Sequence, residues 1–393
     1  MTNYKSMIPI LNNSNIAYLD YSATTFMPAE VMNKWSEFHN TVGVFVSRGI
    51  NNLSRKAEIA LRDAEEVFND FFGFNSEYSI IYAKNVTELI NITAMSIEES
   101  VNEMDIVLVG PYEHHSNYLP WKYLAKRRGA LFCELPINAQ GDIDYSYIER
   151  YRNRIKVISV SSVSNTFGHN IDVEKICKLK SKDAFLFVDE SQCCAHSPIS
   201  RDRRISGHFI TSHKMYGPKN IALMSINNSI ITSLKPVFLG GGMLESVGYE
   251  DTWLSDRKKF FAGTMDIGLI CALAEACNFV KSVSYEEIKK MDSNHYSRVV
   301  EMLNACGMRV LHDEKRCSNS LVAFVHPYIH AHDINEYLAK NDVIIRSGHL
   351  CSQNSLRKME EHAINRISYG IGTDDNDLDK LEFYLKELRN EQH

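Results

Sequence analysis

The feature that most constrains this chain is a recurring unit: a short apolar run, a polar or glycine-containing break, then a helical stretch. The runs are "YSIIYA" (Tyr78 to Ala83), "DIVLVG" (Asp105 to Gly110), "KVISVSSVS" (Lys156 to Ser164), "AFLFVDE" (Ala184 to Glu190), "HFITS" (His208 to Ser212) and "IALMSIN" (Ile221 to Asn227). They are rich in β-branched and aromatic residues and lack strict alternation, which suits strands buried on both faces. Helical patterns follow from Val86, near Tyr118 to Arg128, and in "DVEKICKLKSK". Strands alternating with helices predict an α/β fold with a mainly parallel sheet and helices on both sides. After the glycine triplet Gly240 to Gly242, a helical pattern runs from about Ile267 to Val283. The tail, with short runs "SLVAFVH", "DVIIRSG" and "INRISYG", reads as a smaller α+β unit. The expected division is a large domain over 17–278 and a small one made of 1–16 and 279–393.

Composition removes several function classes. The 393 residues suffice for one large domain and a smaller one. A net charge of -6 without a basic block argues against a nucleic-acid platform. No apolar run approaches the ~20 residues a membrane span needs. The start "MTNYKSMIPILNNSN" lacks the basic opening and unbroken apolar core of a signal peptide. The nine cysteines are scattered with no C-x-x-C pair, which points away from a metal site or a disulfide framework and toward a cytoplasmic chain with reduced thiols.

In open sheets, ligands sit beyond the carboxyl ends of the strands. Four such ends carry polar groups. Asn85 can cap a helix with Glu88 three residues on, and a helix start is an anion site. "PYEHHSN" brings His114 and His115, "VDESQ" brings Asp189 and Gln192, and "TSHKMYGP" brings His213 and Lys214. Each alone is an ordinary cap, loop or surface residue. Together they are the set that pyridoxal phosphate requires: N–H groups for its phosphate, a flat ring to stack on, an acid for its pyridine nitrogen and a lysine for its aldehyde.

With these residues in place, the chain resembles class V aminotransferase-fold enzymes, and within them the type II (SUF-system) cysteine desulfurases and selenocysteine lyases. The likeness runs from "YLDYSATT" (Tyr18 to Thr25) to "RISYGIGT" (Arg366 to Thr373). It implies the pyridoxal-phosphate fold type I. In "EHHSNYLPW", His114 matches the ring-stacking position, and "VSNTFG" supplies Asn165 beside a ring substituent. Asp189 matches the partner of the pyridine nitrogen, Gln192 that of the ring hydroxyl, and Lys214 the Schiff-base lysine. Thr87, Thr211 and His213 match phosphate contacts, while Thr264 in "FAGTMD" and Arg48 in "SRGINNLS" match residues that act across a homodimer. "RSGHLCSQ" is similar to the R-x-G-x-x-C signature, with Arg346 and Cys351 in register, and Arg366 matches the clamp on the substrate carboxylate. The resemblance implies L-cysteine as substrate, a persulfide on Cys351 and a sulfur-acceptor protein as partner.

The chain departs from the family pattern at several points. Glu190 and Ser191 stand where Gly and Ala are usual, Leu350 stands where a His often precedes the cysteine, and Ser-Gln-Asn follows Cys351 in place of Ala-x-Pro. A C–S lyase, a selenocysteine lyase, or an aminotransferase or epimerase of a specialised pathway is the alternative on the same fold. Cys351 discriminates, because a plain lyase or transaminase does not need it.

Overall fold

The computed structural model describes residues 3–45, 51–138, 142–311 and 315–390. In chain order its strands begin with β1 (Ala17–Tyr18), β2 (Tyr78–Ala83), β3 (Ile106–Val109), β4 (Leu131–Glu134) and β5 (Ile155–Ser161). They continue with β6 (Phe185–Asp189), β7 (Gly207–Thr211), β8 (Ala222–Asn227), β9 (Leu244–Ser246) and β10 (Thr252–Trp253). The last are β11 (Arg309–Val310), β12 (Leu321–Val325), β13 (Val343–Ile344), β14 (Arg346–Gly348) and β15 (Ile364–Ser368).

Seven strands form the large sheet in the order β2-β8-β7-β6-β5-β3-β4. Only β8 runs against its neighbours in that sheet. Every residue of β3 is buried, and its alternate side chains enter different cores. Val107 and Val109 pack with Leu89, Trp121 and Phe187, whereas Ile106 and Leu108 pack with Ile148, Val160 and Ile176. A strand wetted on neither face has no polar side to alternate with, so the sequence shows a continuous apolar run.

The parallel strands all end on one edge, and the helix Val86–Ser96 starts there, right after β2. A four-stranded antiparallel sheet, β11-β12-β15-β14, makes the smaller unit. Its Val322, Phe324 and Ile367 pack on Leu378, Leu381 and Leu385 of the C-terminal helix Asp375–Asn390. The N-terminal segment is divided between cores. Ile8 and Leu11 pack with Phe38, Phe68 and Tyr216, while Ala17 and Leu19 join the smaller unit, where β1 pairs with β13. The expected boundary at 278/279 falls inside the helix Ile267–Val283, which ends where Ser284 turns the chain at φ 72° into the helix Tyr285–Ala305.

Features outside the sequence reading include the helices Ala29–Thr41 and Asn52–Phe72, the edge strand β4 and the short hairpin β9–β10. Among the described residues no single helix is long and apolar enough to cross a membrane.

Candidate active site

A cavity of about 320 Å³ opens at the carboxyl edge of the large sheet, closed on one side by the β14–β15 region of the smaller unit. Its walls take Asn85 and Thr87 from the helix start after β2, His114 from the loop after β3, and Asn165 from the loop after β5. Asp189 and Gln192 follow β6, and Thr211, His213 and Lys214 follow β7. The smaller unit adds Arg346, Cys351 and Arg366. Two expected site residues stand apart. Thr264 lies in a different groove with Phe38, His39 and Val44, and Arg48 lies outside the described residues.

The anion seat is built as its capping residues suggest. Asn85 Oδ1 accepts the Glu88 N–H at 2.9 Å, while the Glu88 carboxylate accepts the Lys84 N–H at 2.8 Å. Leu89 N–H makes the first intrahelical bond to the Asn85 carbonyl, so the N–H groups of Val86 and Thr87 lie ahead of the ladder. The hydroxyls of Thr87 and Ser116 are 2.7 Å apart, which links this seat to His114.

His114 Nδ1 accepts the Ser116 backbone N–H at 3.1 Å, which leaves the proton of a neutral ring on Nε2. Burial, assisted by the charge of Lys214, pulls its pKa down to about 3, so the ring is neutral at pH 7. Burial also pulls the Lys214 amine down to about 8, against the opposing pull of Asp189. Among the described residues Lys214 Nζ has no hydrogen-bond or ion-pair partner. The same desolvation raises Asp189, whose carboxylate accepts the Ser191 N–H at 3.0 Å.

The two arginines converge on a residue the sequence reading did not single out. Asp20 Oδ1 accepts from Arg366 Nη2 at 2.9 Å, and Asp20 Oδ2 meets Arg346 Nη2 at 2.6 Å. Asp20 and Arg366 are both buried, whereas Arg346 is half exposed. Arg366 Nη1 also donates to the Asn165 carbonyl at 2.7 Å. A second overlooked group is Glu113, buried behind His114. It accepts from Asn117 Nδ2 (2.7 Å), the Ser161 N–H (2.8 Å) and Ser161 Oγ (2.5 Å). Burial nonetheless pushes its pKa up to about 7.

Cys351 is exposed at the cavity mouth. The loop carrying it is tied to the large sheet at each residue. Asn165 Nδ2 donates to the Leu350 carbonyl (2.9 Å), His115 N–H to the Cys351 carbonyl (2.8 Å), and Ser352 Oγ to the Glu113 carbonyl (2.8 Å). Leu350 and Cys351 both adopt left-handed backbone, at φ 50° and 53°. The departures from the family pattern separate here: Ser191 and Leu350 line the cavity, but Glu190 points to the other face of the sheet and pairs with buried His208 at 3.0 Å.

The donor set fits pyridoxal phosphate. Lys214 is free to react, the helix start and Thr87 offer anion donors, and Asn165 Oδ1 and Arg366 Nε are buried without partners among the described residues. Fold and site together define an α/β protein with its ligand seat at the strand ends, of the kind that holds this cofactor. Comparison with known proteins agrees: the chain belongs to the class V aminotransferase family, whose model matches residues 17–381. It is 29% identical over 395 residues to a "Probable cysteine desulfurase" of Halalkalibacterium halodurans, covering 98% of this chain and 97% of that protein. A protein of the same name from Staphylococcus aureus is 27% identical over 385 residues, covering 96% and 93%. The structure of a cysteine desulfurase from Thermococcus onnurineus superposes with a TM-score of 0.93 at 25% identity, covering 100% of this chain and 99% of that one. A cysteine desulfurase of Escherichia coli shares the fold, with a TM-score of 0.87 at 23% identity over 99% and 98% of the two chains.

Proposed function

We propose that the protein is a pyridoxal-phosphate-dependent cysteine desulfurase that converts L-cysteine to L-alanine and holds the sulfur as a persulfide on Cys351. The observation that carries this reading is the exposed Cys351 thiol lining the same cavity as Lys214 and the two arginines. An acid, a lysine and an arginine would serve any reaction of the fold, but a thiol at that mouth is a group that a plain lyase or transaminase does not need.

The cofactor, when bound, supplies an aldehyde for the substrate amine and a ring that accepts electrons from the α-carbon. The N–H groups of Val86 and Thr87, with Thr87, Thr211 and His213, would hold its phosphate. The neutral His114 ring would stack on it, Asp189 would partner its pyridine nitrogen, and Gln192 and Asn165 would meet its ring substituents. Arg366 and Arg346 orient the substrate carboxylate. Lys214 Nζ takes the α-proton and returns protons to the product carbon. The Cys351 thiolate attacks the substrate sulfur, so that an S–S bond forms as the C–S bond breaks. The thiol and cysteine together give alanine and the persulfide, with no outside oxidant. The protein acts as a cytoplasmic homodimer in which Thr264 and Arg48 serve the neighbouring site, and a sulfur-acceptor protein discharges Cys351. The separation of Thr264 from its own chain's cavity supports this arrangement.

The test is Cys351→Ser with L-cysteine, following cofactor absorbance and alanine together. Spectral change without alanine is the expected result. Alanine or pyruvate formed at the wild-type rate would overturn the persulfide step in favour of a lyase or transaminase.

A further inference from the structure

The opposite edge of the large sheet carries a second hollow, of about 580 Å³. That is the size of a small-molecule site. It lies at the amino ends of β5 and β6, where Lys156 and Phe185 stand, and beside Ser206, which precedes β7. Its walls carry Arg152, Lys156, Lys178, Lys180, Lys182, Arg203 and Arg204. Among the described residues, Asp183 is the sole acid lining it.

Five of these seven charges lack an ion-pair partner among the described residues. Arg203 and Arg204 are engaged by Glu77 and Asp202. Lys156 lies over the Phe185 ring at 5.4 Å. Lys180 is buried; among the described residues its amine donates only to the carbonyls of Ser181 (3.1 Å) and Ala184 (2.8 Å), with the Asp202 and Asp183 carboxylates acting on it at longer range. An ammonium taken out of water needs more than neutral acceptors to offset its lost hydration. Seven cations and one acid lining a single concavity make a local positive field that attracts an anion. A single phosphate would answer one or two of the cations; several linked phosphates would span them. The charges line a hollow instead of a long stripe, which favours a small ligand over a nucleic-acid strand.

We propose that this hollow binds a small polyphosphorylated anion, of the class of a nucleoside triphosphate or inorganic polyphosphate. The assignment is independent of the reaction at the other edge of the sheet.

The test is titration calorimetry on the cofactor-loaded protein, so that the cofactor's own phosphate seat is filled. Inorganic tripolyphosphate should bind saturably, once per chain. The exposed pair Lys178→Glu/Lys182→Glu should weaken it at least tenfold, with folding checked by cofactor absorbance. The charge-matched control Lys289→Glu/Lys290→Glu, on a different helix, should leave it unchanged. ATP binding more tightly than tripolyphosphate assigns a nucleotide, and equal binding assigns the phosphate chain alone; either supports the site. The proposal is overturned by absence of saturable binding, by equal loss in the control, by equal affinity for orthophosphate, or by tighter binding of a polyglutamate peptide, which would make the hollow a seat for an acidic protein.

Discussion

Asp20 should prove as important to the substrate clamp as the arginines it holds. The perturbation is Asp20→Asn, which keeps the shape of the side chain and removes its charge. In the structure Asp20 and Arg366 are each 3% exposed and meet at 2.9 Å. Arg366 would then keep only neutral acceptors, the Asn165 carbonyl and the new amide oxygen, with its Nε already unpartnered among the described residues. Breaking a buried pair by removing one charge costs about 3–5 kcal/mol, and the retained amide oxygen should place the variant at the low end. Arg346 is 51% exposed, so Arg346→Gln should cost at most about 1 kcal/mol. Denaturant unfolding of the two single variants and the double variant isolates the Asp20–Arg346 coupling and leaves the rest of the Asp20→Asn loss to Arg366. The same change frees the Arg366 guanidinium to shift, and a misplacement near 1 Å lowers catalytic efficiency by up to about a hundredfold. We therefore expect kcat/KM for L-cysteine to fall by about 10- to 100-fold in Asp20→Asn. Wild-type unfolding together with wild-type kcat/KM would refute the argument, because it would mean the carboxylate neither stabilises nor positions Arg366.

Other expectations follow from the same geometry. Borohydride reduction of the loaded protein followed by peptide mapping should find the pyridoxyl group on Lys214, and a label on a different lysine would sink the assignment. Because burial brings the Lys214 amine down to about 8, uptake of pyridoxal phosphate by cofactor-stripped protein should rise with pH around a midpoint near 8; a midpoint above 10 would contradict the site. Glu113 is raised in the folded protein to about 7 from 4.5, so its contribution to stability is present below pH 4.5 and lost as pH rises through 7. Glu113→Gln should gain stability relative to wild type between pH 5 and pH 8, and an unchanged difference at the two pH values would exclude that linkage. Mixed dimers of Lys214→Ala and Thr264→Ala chains hold one site with neither lesion, so they should recover part of the activity. A fully active monomer would rule that out.

Much of this was legible because the chain obeys one rule: strands buried on both faces end where ligands bind. Lys214, Asp189 and His114 could be found by reading the residue at each strand end. The helix Ile267–Val283 was found because its apolar residues run nearly continuously. The helix Asn52–Phe72 carried a signal too, since Ala57, Ala64, Phe68 and Phe72 recur at helical spacing, but charged residues between them dilute any local run. Asp20 was hidden for a different reason. It lies 346 positions from Arg366, and pairing at that separation is decided by where the N-terminal segment packs, not by any local pattern. Glu113 sat in plain view beside His114, and a carboxylate next to a candidate ring was a usable sign. Glu190 looked like a change at the cofactor, but alternation along β6 turns it toward His208 on the other face.

The nucleophile loop shows why the smaller unit cannot be treated as a detachable cover. Two successive non-glycine residues, Leu350 and Cys351, hold left-handed backbone, at roughly 1–2 kcal/mol each for L-residues. Nothing within a tripeptide offsets that. The compensation comes from the strand-end loops of the large sheet, through Asn165 on Leu350, His115 on Cys351 and the Glu113 carbonyl on Ser352. The same three loop positions also serve the cavity: Asn165 braces Arg366, and the segment Glu113 to Ser116 orients His114. His114, Arg366 and the Cys351 thiol are thus hung from one set of backbone segments. A substitution that shifts the Glu113 segment should therefore disturb cofactor binding and thiol position together.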